Sequence, residues 1–283
     1  MSNISFVRTR EEIENTHRLD PQYHHSEGLF MSWEIDRELF RRVLPIGLEM
    51  EDPVVVAMVI NHNHPGFKGK PYSVGMIAMN CHYGDAYGTY PIGFIGQVPD
   101  NDDMTIFYGR EQYGYPKKTG TVKLKREADK VTASVVRHNV EVLKAQAKIS
   151  DRTLPNAERL FPAPPLETAM AGAEFHMKYN RECFGNTRNP YESMVYDDPK
   201  LVHTQVETIV HKEERAIAEV QIGVSVDDPW AELAPKDGHV NAIYRDFDCS
   251  LMSNTLDKRY VGEEAEQILP YLFTNSDYKI FAE

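Results

Sequence analysis

Cysteine is scarce. The 283-residue chain holds three, Cys81, Cys183 and Cys249, and no two form a Cys-x-x-Cys pair. Such spacing suggests neither a zinc ribbon nor a disulfide framework, and none of the three thiols sits in a convincing activating context. Apolar runs are short: Val54–Ile60 is among the longest and is far too brief to cross a bilayer. Residues 1–10 lack the apolar core of a secretion signal, so a reduced, cytoplasmic protein with no membrane partner is expected. Basic clusters are missing as well. The 31 Lys and Arg against 43 Asp and Glu leave a net charge of −12 with no block of either sign, which argues against nucleic acid as a partner. No glycine-rich phosphate loop and no Gly-x-Ser-x-Gly elbow occurs, so the common nucleotide-binding and serine-hydrolase signatures are excluded.

What is present is mostly strand pattern. Residues 1–30 are polar and are expected to form an amino-terminal arm, with one short strand near Leu29–Trp33; residues 31–283 are expected to form a single domain. Ile35, Leu39, Phe40, Val43 and Leu44 recur at helical spacing before Pro45, which predicts a helix of about three turns. Strands are then predicted at Val54–Ile60, Tyr72–Tyr83, Tyr90–Gly96, Met104–Gly109, Thr121–Arg126, Val131–Arg137 and Val140–Ile149. A connection at Ser150–Leu166 carries four prolines. The β pattern resumes at Glu174–Tyr179, Thr204–Val210, Ala216–Val226 and Val240–Ser250, and a helix bent or ended by Pro270 is predicted over Gly262–Leu272. Many short strands and few helices predict a mainly β, β-rich α+β protein, an antiparallel barrel or sandwich with a few peripheral helices.

The most informative local feature is Pro116-Lys117-Lys118, set among aromatic residues. A lysine amine attacks a carbonyl only when neutral, and its ordinary pKa of about 10.4 leaves almost none neutral at pH 7. Burial in an apolar pocket or a second cation lowers that value. Neighbours on a strand point to opposite faces, so the adjacency of the two lysines does not decide between these causes. His62-Asn63-His64 invites a metal reading, but no acidic residue lies close in sequence and a turn follows. A pair of loop histidines at a pocket mouth is expected there, and no metal.

The segment Gly109-Arg110-Glu111-x-x-Gly114-Tyr115-Pro116-Lys117-Lys118 resembles the active-site signature of the acetoacetate decarboxylase family. The likeness extends through Arg37–Pro53, the Val122–Arg126 and Val131–Arg137 hairpin, and Asp228-Pro229-Trp230, over roughly residues 30–255. It implies that Lys117 forms an imine with a substrate ketone, with Lys118 as the second catalytic lysine that lowers its pKa; this family is itself the standard example of an activated lysine. The expected reaction is decarboxylation of a β-keto acid, the family's founding reaction; the alternative is an aldolase, retro-aldolase or dehydratase using the same imine. A non-catalytic binder of apolar ketones is the alternative of another class. No cofactor is implied, the partner is a small carbonyl compound, and the family's tendency toward symmetric assemblies implies a homo-oligomer.

The family's substrate-orienting arginine and two pocket glutamates are not kept. Alignment through Asp52-Pro53 places Ser26, Met58 and Val74 at those positions, and no Glu occurs between Glu51 and Glu111. The expected substrate contacts are therefore Tyr113, Tyr115, Tyr72, His82 and Met58, with Arg110 and Glu111 as an ion pair shaping the segment. Methionines such as Met58, Met76 and Met79 would suit a bulky, apolar substrate.

Overall fold

The computed structural model describes residues 9–11, 22–65, 70–97, 106, 109–183 and 194–275. Strand alternation builds two layers from one continuous sheet. In β2 (Val54–His62), Val55, Ala57 and Val59 face one side while Met58 and Ile60 face the other. The same split recurs in β4 (Tyr72–Tyr83), with Ile77 against Val74 and Met76, and in β5 (Ala86–Gln97), with Ile95 against Phe94. A period of two thus gives each strand two apolar faces, which is the pattern of a sheet buried on both sides.

Seven strands close into a barrel in the order β10 (Ala169–Cys183), β5, β4, β2, β1 (Gln22–Glu34), β12 (His239–Arg259) and β11 (Met194–Gln221), with β11 returning to β10. Every seam is antiparallel except that between β5 and β10, which run parallel where Ala173 meets Gly88. A Cβ on Gly88 would lie 1.7 Å from the Ala173 carbonyl oxygen, so only glycine allows this closing contact. The carboxyl-terminal part of β11 keeps its pairing with β12 but exchanges β10 for β9 (Val140–Ile149), followed by β8 (Lys130–Arg137) and β7 (Thr121–Glu127). These strands cover the outer face of β1, β2 and β4, and their Val131, Val135 and Leu143 meet Leu29, Ala57 and Ile77 in the largest core.

The mainly β fold expected from the sequence is the fold observed, and the differences lie at boundaries. The first strand starts at Gln22, well before Leu29, because its outer end pairs with β12 and the two-residue β3 (His64–Pro65). Thr204–Val210 and the first six residues of Ala216–Val226 belong to one strand, β11, in which the polar His211–Arg215 is carried through a bulge instead of ending the element; the strand stops at Gln221, short of the expected Val226. Helix α1 spans only Arg37–Val43; Asp36 caps it by accepting from the Glu38 and Leu39 amides, and Phe40 is its buried anchor. A short α2 (Ala157–Leu160) interrupts the proline-rich connection. Near the carboxyl end, α3 (Glu263–Ile268) tightens into a 3-10 helix over Leu269–Asn275 at Pro270. Met104–Gly109 falls largely outside the described residues. No helix among those described is long and apolar enough to cross a membrane.

Candidate active site

The lysine segment is shaped by its backbone. The Gly114 N–H closes a wide turn onto the Gly109 carbonyl at 3.0 Å, and Gly114 then takes φ +89°, a left-handed conformation that favours glycine. Pro116 leads into β6 (Lys117–Thr119), which runs parallel to β5 with Lys117 beside Phe94 and Lys118 beside Ile95. Because Phe94 faces the barrel interior and Ile95 the outer core, the register alone sends the two lysines to opposite sides. Gly109 completes the seat: a Cβ there would lie 2.7 Å from Lys117 Cδ and 2.9 Å from its Nζ.

Lys117 ends in a cavity of about 180 Å³ whose wall includes Met58, Ile60, Tyr72, Val74, Met76 and Phe94. Its Nζ stands 4.7 Å from the Phe94 ring centre, 5.4 Å from that of Tyr115 and 5.8 Å from that of Tyr72. Burial draws its pKa down from 10.5 to about 8, against a smaller opposing pull from Glu174. At pH 7 about a tenth of the amine is therefore neutral, several hundredfold more than for an exposed lysine.

Lys118 has a different environment. Its Nζ donates to the Asp227 carbonyl at 2.6 Å and to Asp228 Oδ1 at 3.0 Å, while Arg137 holds the other Asp228 oxygen at 2.9 Å. It lines a separate cavity with Tyr90 and Trp230. The expected pKa-lowering contact between the two lysines is thus replaced by burial: Lys118 spends its charge on Asp228 on the far side of the sheet.

Two groups that the sequence reading passed over face the same cavity region from β10. Glu174, on the cavity wall, accepts a short hydrogen bond from the Tyr115 hydroxyl, and burial raises its carboxyl pKa although Tyr115 and Lys117 oppose the rise. His176, two residues along, packs with its ring centre 4.0 Å from that of Tyr115, tilted by 55°, and is buried with neither ring nitrogen hydrogen-bonded. Burial takes His176 down to about 3, so its ring is neutral. His62 is also on the wall, not at a loop mouth; it shares a 3.0 Å hydrogen bond with Ser26 and is likewise pushed to about 3 by burial and by Lys117. Exposed His64 lies beyond it on β3.

Of the remaining expected contacts, Tyr72, Tyr115 and Met58 line the cavity, and so does Val74, aligned with the second family glutamate. Tyr113 is buried 6.1 Å from Tyr115, behind the wall. His82 stacks on Tyr87 beside a different surface depression and does not reach Lys117. Arg110 is half-buried and Glu111 exposed, so the expected ion pair is not a buried one. Arg245 reaches the wall over the Phe30 ring while bound to Glu213 at 2.7 Å.

A lysine seated on β6 inside a mixed seven-stranded barrel defines the class, and the sequence agrees: the acetoacetate decarboxylase family model matches residues 9–261, so the chain belongs to that family. Among known proteins it is 25% identical over 272 residues to the CLA biosynthesis isomerase of Lactiplantibacillus plantarum, covering 95% of this chain and 93% of that one. The fold is shared with an acetoacetate decarboxylase from Legionella pneumophila (TM-score 0.68, 18% identity, 85% of this chain and 88% of that one). It is shared too with the enduracididine biosynthesis enzyme MppR bound to the condensation product of pyruvate and imidazole 4-carboxaldehyde (TM-score 0.62, 17% identity, 85% and 90% covered).

Proposed function

We propose that the protein is a Schiff-base enzyme in which Lys117 condenses with the carbonyl of an apolar ketone and Glu174 moves the proton that the resulting enamine gains or loses. The supporting observation is the pairing itself: a buried amine near pKa 8 and a buried carboxyl raised by the same desolvation, in one apolar cavity. Burial opposes charge on both groups, and the neutral pair is the form that reacts. Attack of the amine expels water, and transfer of the Glu174 proton to the imine nitrogen gives an iminium beside a carboxylate. That carboxylate then takes a proton from the carbon next to the imine, which returns both groups to neutrality as enamine and acid.

The enamine has two outlets. With a β,γ-unsaturated ketone, Glu174 returns the proton at the far end of the conjugated system and the double bond shifts. With a β-keto acid, loss of carbon dioxide forms the enamine directly. The apolar wall at Met58 and Val74, together with an Arg245 already engaged by Glu213, favours the proton shift, in keeping with the isomerase named among the relatives. Decarboxylation, which names the family, is the second reading; the desolvated surroundings of Lys117 would favour its loss of charge. Borohydride reduction in the presence of an apolar enone, followed by peptide mass mapping, tests the imine. Adduct on Lys117 is expected; no adduct, or one on a surface lysine, rejects both outlets in favour of a binding protein. Carbon dioxide release and movement of the double bond, measured on matched substrates, then separate the two.

A further inference from the structure

We infer that His25, His211 and Asp248 form a binding site for a divalent transition-metal ion of the zinc type, set in the seam where β1, β11 and β12 meet. One ring nitrogen from each histidine and one carboxylate oxygen all lie within 4.8 Å of one another. Ligands of a single zinc stand up to about 4 Å apart, since each bond is about 2.0–2.2 Å long, so a small side-chain rotation closes the set.

The backbone is arranged to bring them together. Pairing of β1 with β12 jumps from Tyr23–Cys249 to Ser26–Phe247, so His24 and His25 together oppose Asp248, and His25 takes φ +47°. Pairing of β11 with β12 jumps from Val210–Phe247 to Lys212–Asp246, which leaves His211 as the bulged residue. Two bulges, in the strands on either side of β12, thus re-aim two histidines at the side chain of one aspartate, the use to which bulges beside sites are commonly put.

The outer shell has the form metal-binding histidines require. His211 Nδ1 lies 3.0 Å from a Glu167 oxygen and His25 Nδ1 3.2 Å from Asp246, which leaves the Nε2 of each ring for an ion. His24 Nδ1 sits 3.1 Å from the second Asp248 oxygen and orients the carboxylate. The His211 Nε2 is buried and stands 3.0 Å from Asp248 Oδ1 without the alignment of a hydrogen bond. Asp248 Oδ1 also accepts from the His25 backbone N–H at 2.8 Å, which holds the carboxylate in place for a cation shared with His211 Nε2. Two imidazoles and a carboxylate suit zinc, cobalt or nickel more than magnesium or calcium. The inference does not depend on the imine: Asp248 points away from the cavity, although its neighbours Phe247 and Cys249 line it, so an ion here would fix the wall from outside.

The test uses full-length protein stripped with a chelator, titrated with zinc(II) by calorimetry and with cobalt(II) by visible absorption. One equivalent per chain is expected, with a cobalt d–d band and a higher Tm in the presence of zinc. His211→Ala and Asp248→Asn should each weaken binding at least tenfold, and Glu167→Gln by about tenfold, as for other outer-shell partners. The exposed His25→Gln gives the same readout where a strand variant fails to fold. Stripped protein that takes up no ion, or uptake that persists unchanged in His25→Gln and Asp248→Asn, would overturn the site.

Discussion

Replacing Lys117 with methionine should abolish imine formation and at the same time make the protein more stable at neutral pH. The side chain keeps its length and apolar stem but loses the ammonium that burial penalises. A pKa of about 8 in the folded chain against 10.5 outside it corresponds to a penalty on the order of 3 kcal/mol at about 1.4 kcal/mol per pH unit. The sign follows from proton linkage. Below pH 8 the lysine is protonated in both states and the folded state bears the whole penalty. Between about 8 and 10.5 the unfolded chain holds more protons, so wild-type stability climbs with pH, and above 10.5 the penalty is gone. The Lys117→Met gain should therefore be full at pH 7 and fade toward pH 10.5. For a chain of this size it would raise Tm at pH 7 by roughly 6–12 °C. Glu174 loses an attractive partner in this variant, and the burial that raises its carboxyl pKa then acts without the opposing pull of Lys117. Thermal melts of both proteins at pH 7 and pH 10 are the assay. A variant that melts at or below wild type at pH 7 would refute burial as the cause of the lowered pKa.

The rate of borohydride-trappable imine formation should rise with pH through about 8 and level off above it, and Glu174→Gln, by removing the charge that supports the ammonium, should raise that rate at pH 7 by at most about tenfold while turnover falls. On the far side of the sheet, Asp228→Asn leaves Lys118 and Arg137 as buried cations without their carboxylate and should cost about 3–5 kcal/mol in denaturant unfolding, whereas Lys118→Met should cost less and still trap adduct on Lys117.

Much of the barrel was legible because its strands are two-faced and punctuated. Val54–Ile60 and Tyr72–Tyr83 declare themselves by composition, and Lys117 by its motif. The rest depended on contacts between distant segments. Whether Lys118 shares the cavity is settled by pairing with Ile95, a register set by strands some twenty residues apart. His82 is an expected substrate contact because the loss of the family glutamates leaves the polar residues of this region as candidates, yet the strand end carries it past the cavity. Glu174 and His176 had a signal that went unread: Ala173-Glu174-Phe175-His176-Met177-Lys178 alternates apolar and polar, and both sets turn out to be largely buried. A strand with polar residues on a face that closes a barrel is a candidate to line its interior, since a buried polar face persists only where it has partners or work to do.

That signal also bears on the missing family glutamates. Met58 and Val74 stand on β2 and β4, on one side of the β5–β6 pair that carries Lys117, whereas Glu174 comes from β10, the neighbour of β5 on the other side. The acid has not been lost from the cavity; a carboxyl is supplied from the opposite flank. A single carboxyl hydrogen-bonded to Tyr115 places one titratable group beside a cationic imine where the family pattern places two glutamates. It is suited to carrying one proton back and forth, and the side emptied of charge is lined with flexible methionine and branched aliphatic groups that accommodate an apolar chain. The same exchange that weakens the case for acetoacetate therefore supports the proposed reading, in which Glu174 would carry one proton and the apolar wall would hold the ketone through a double-bond shift.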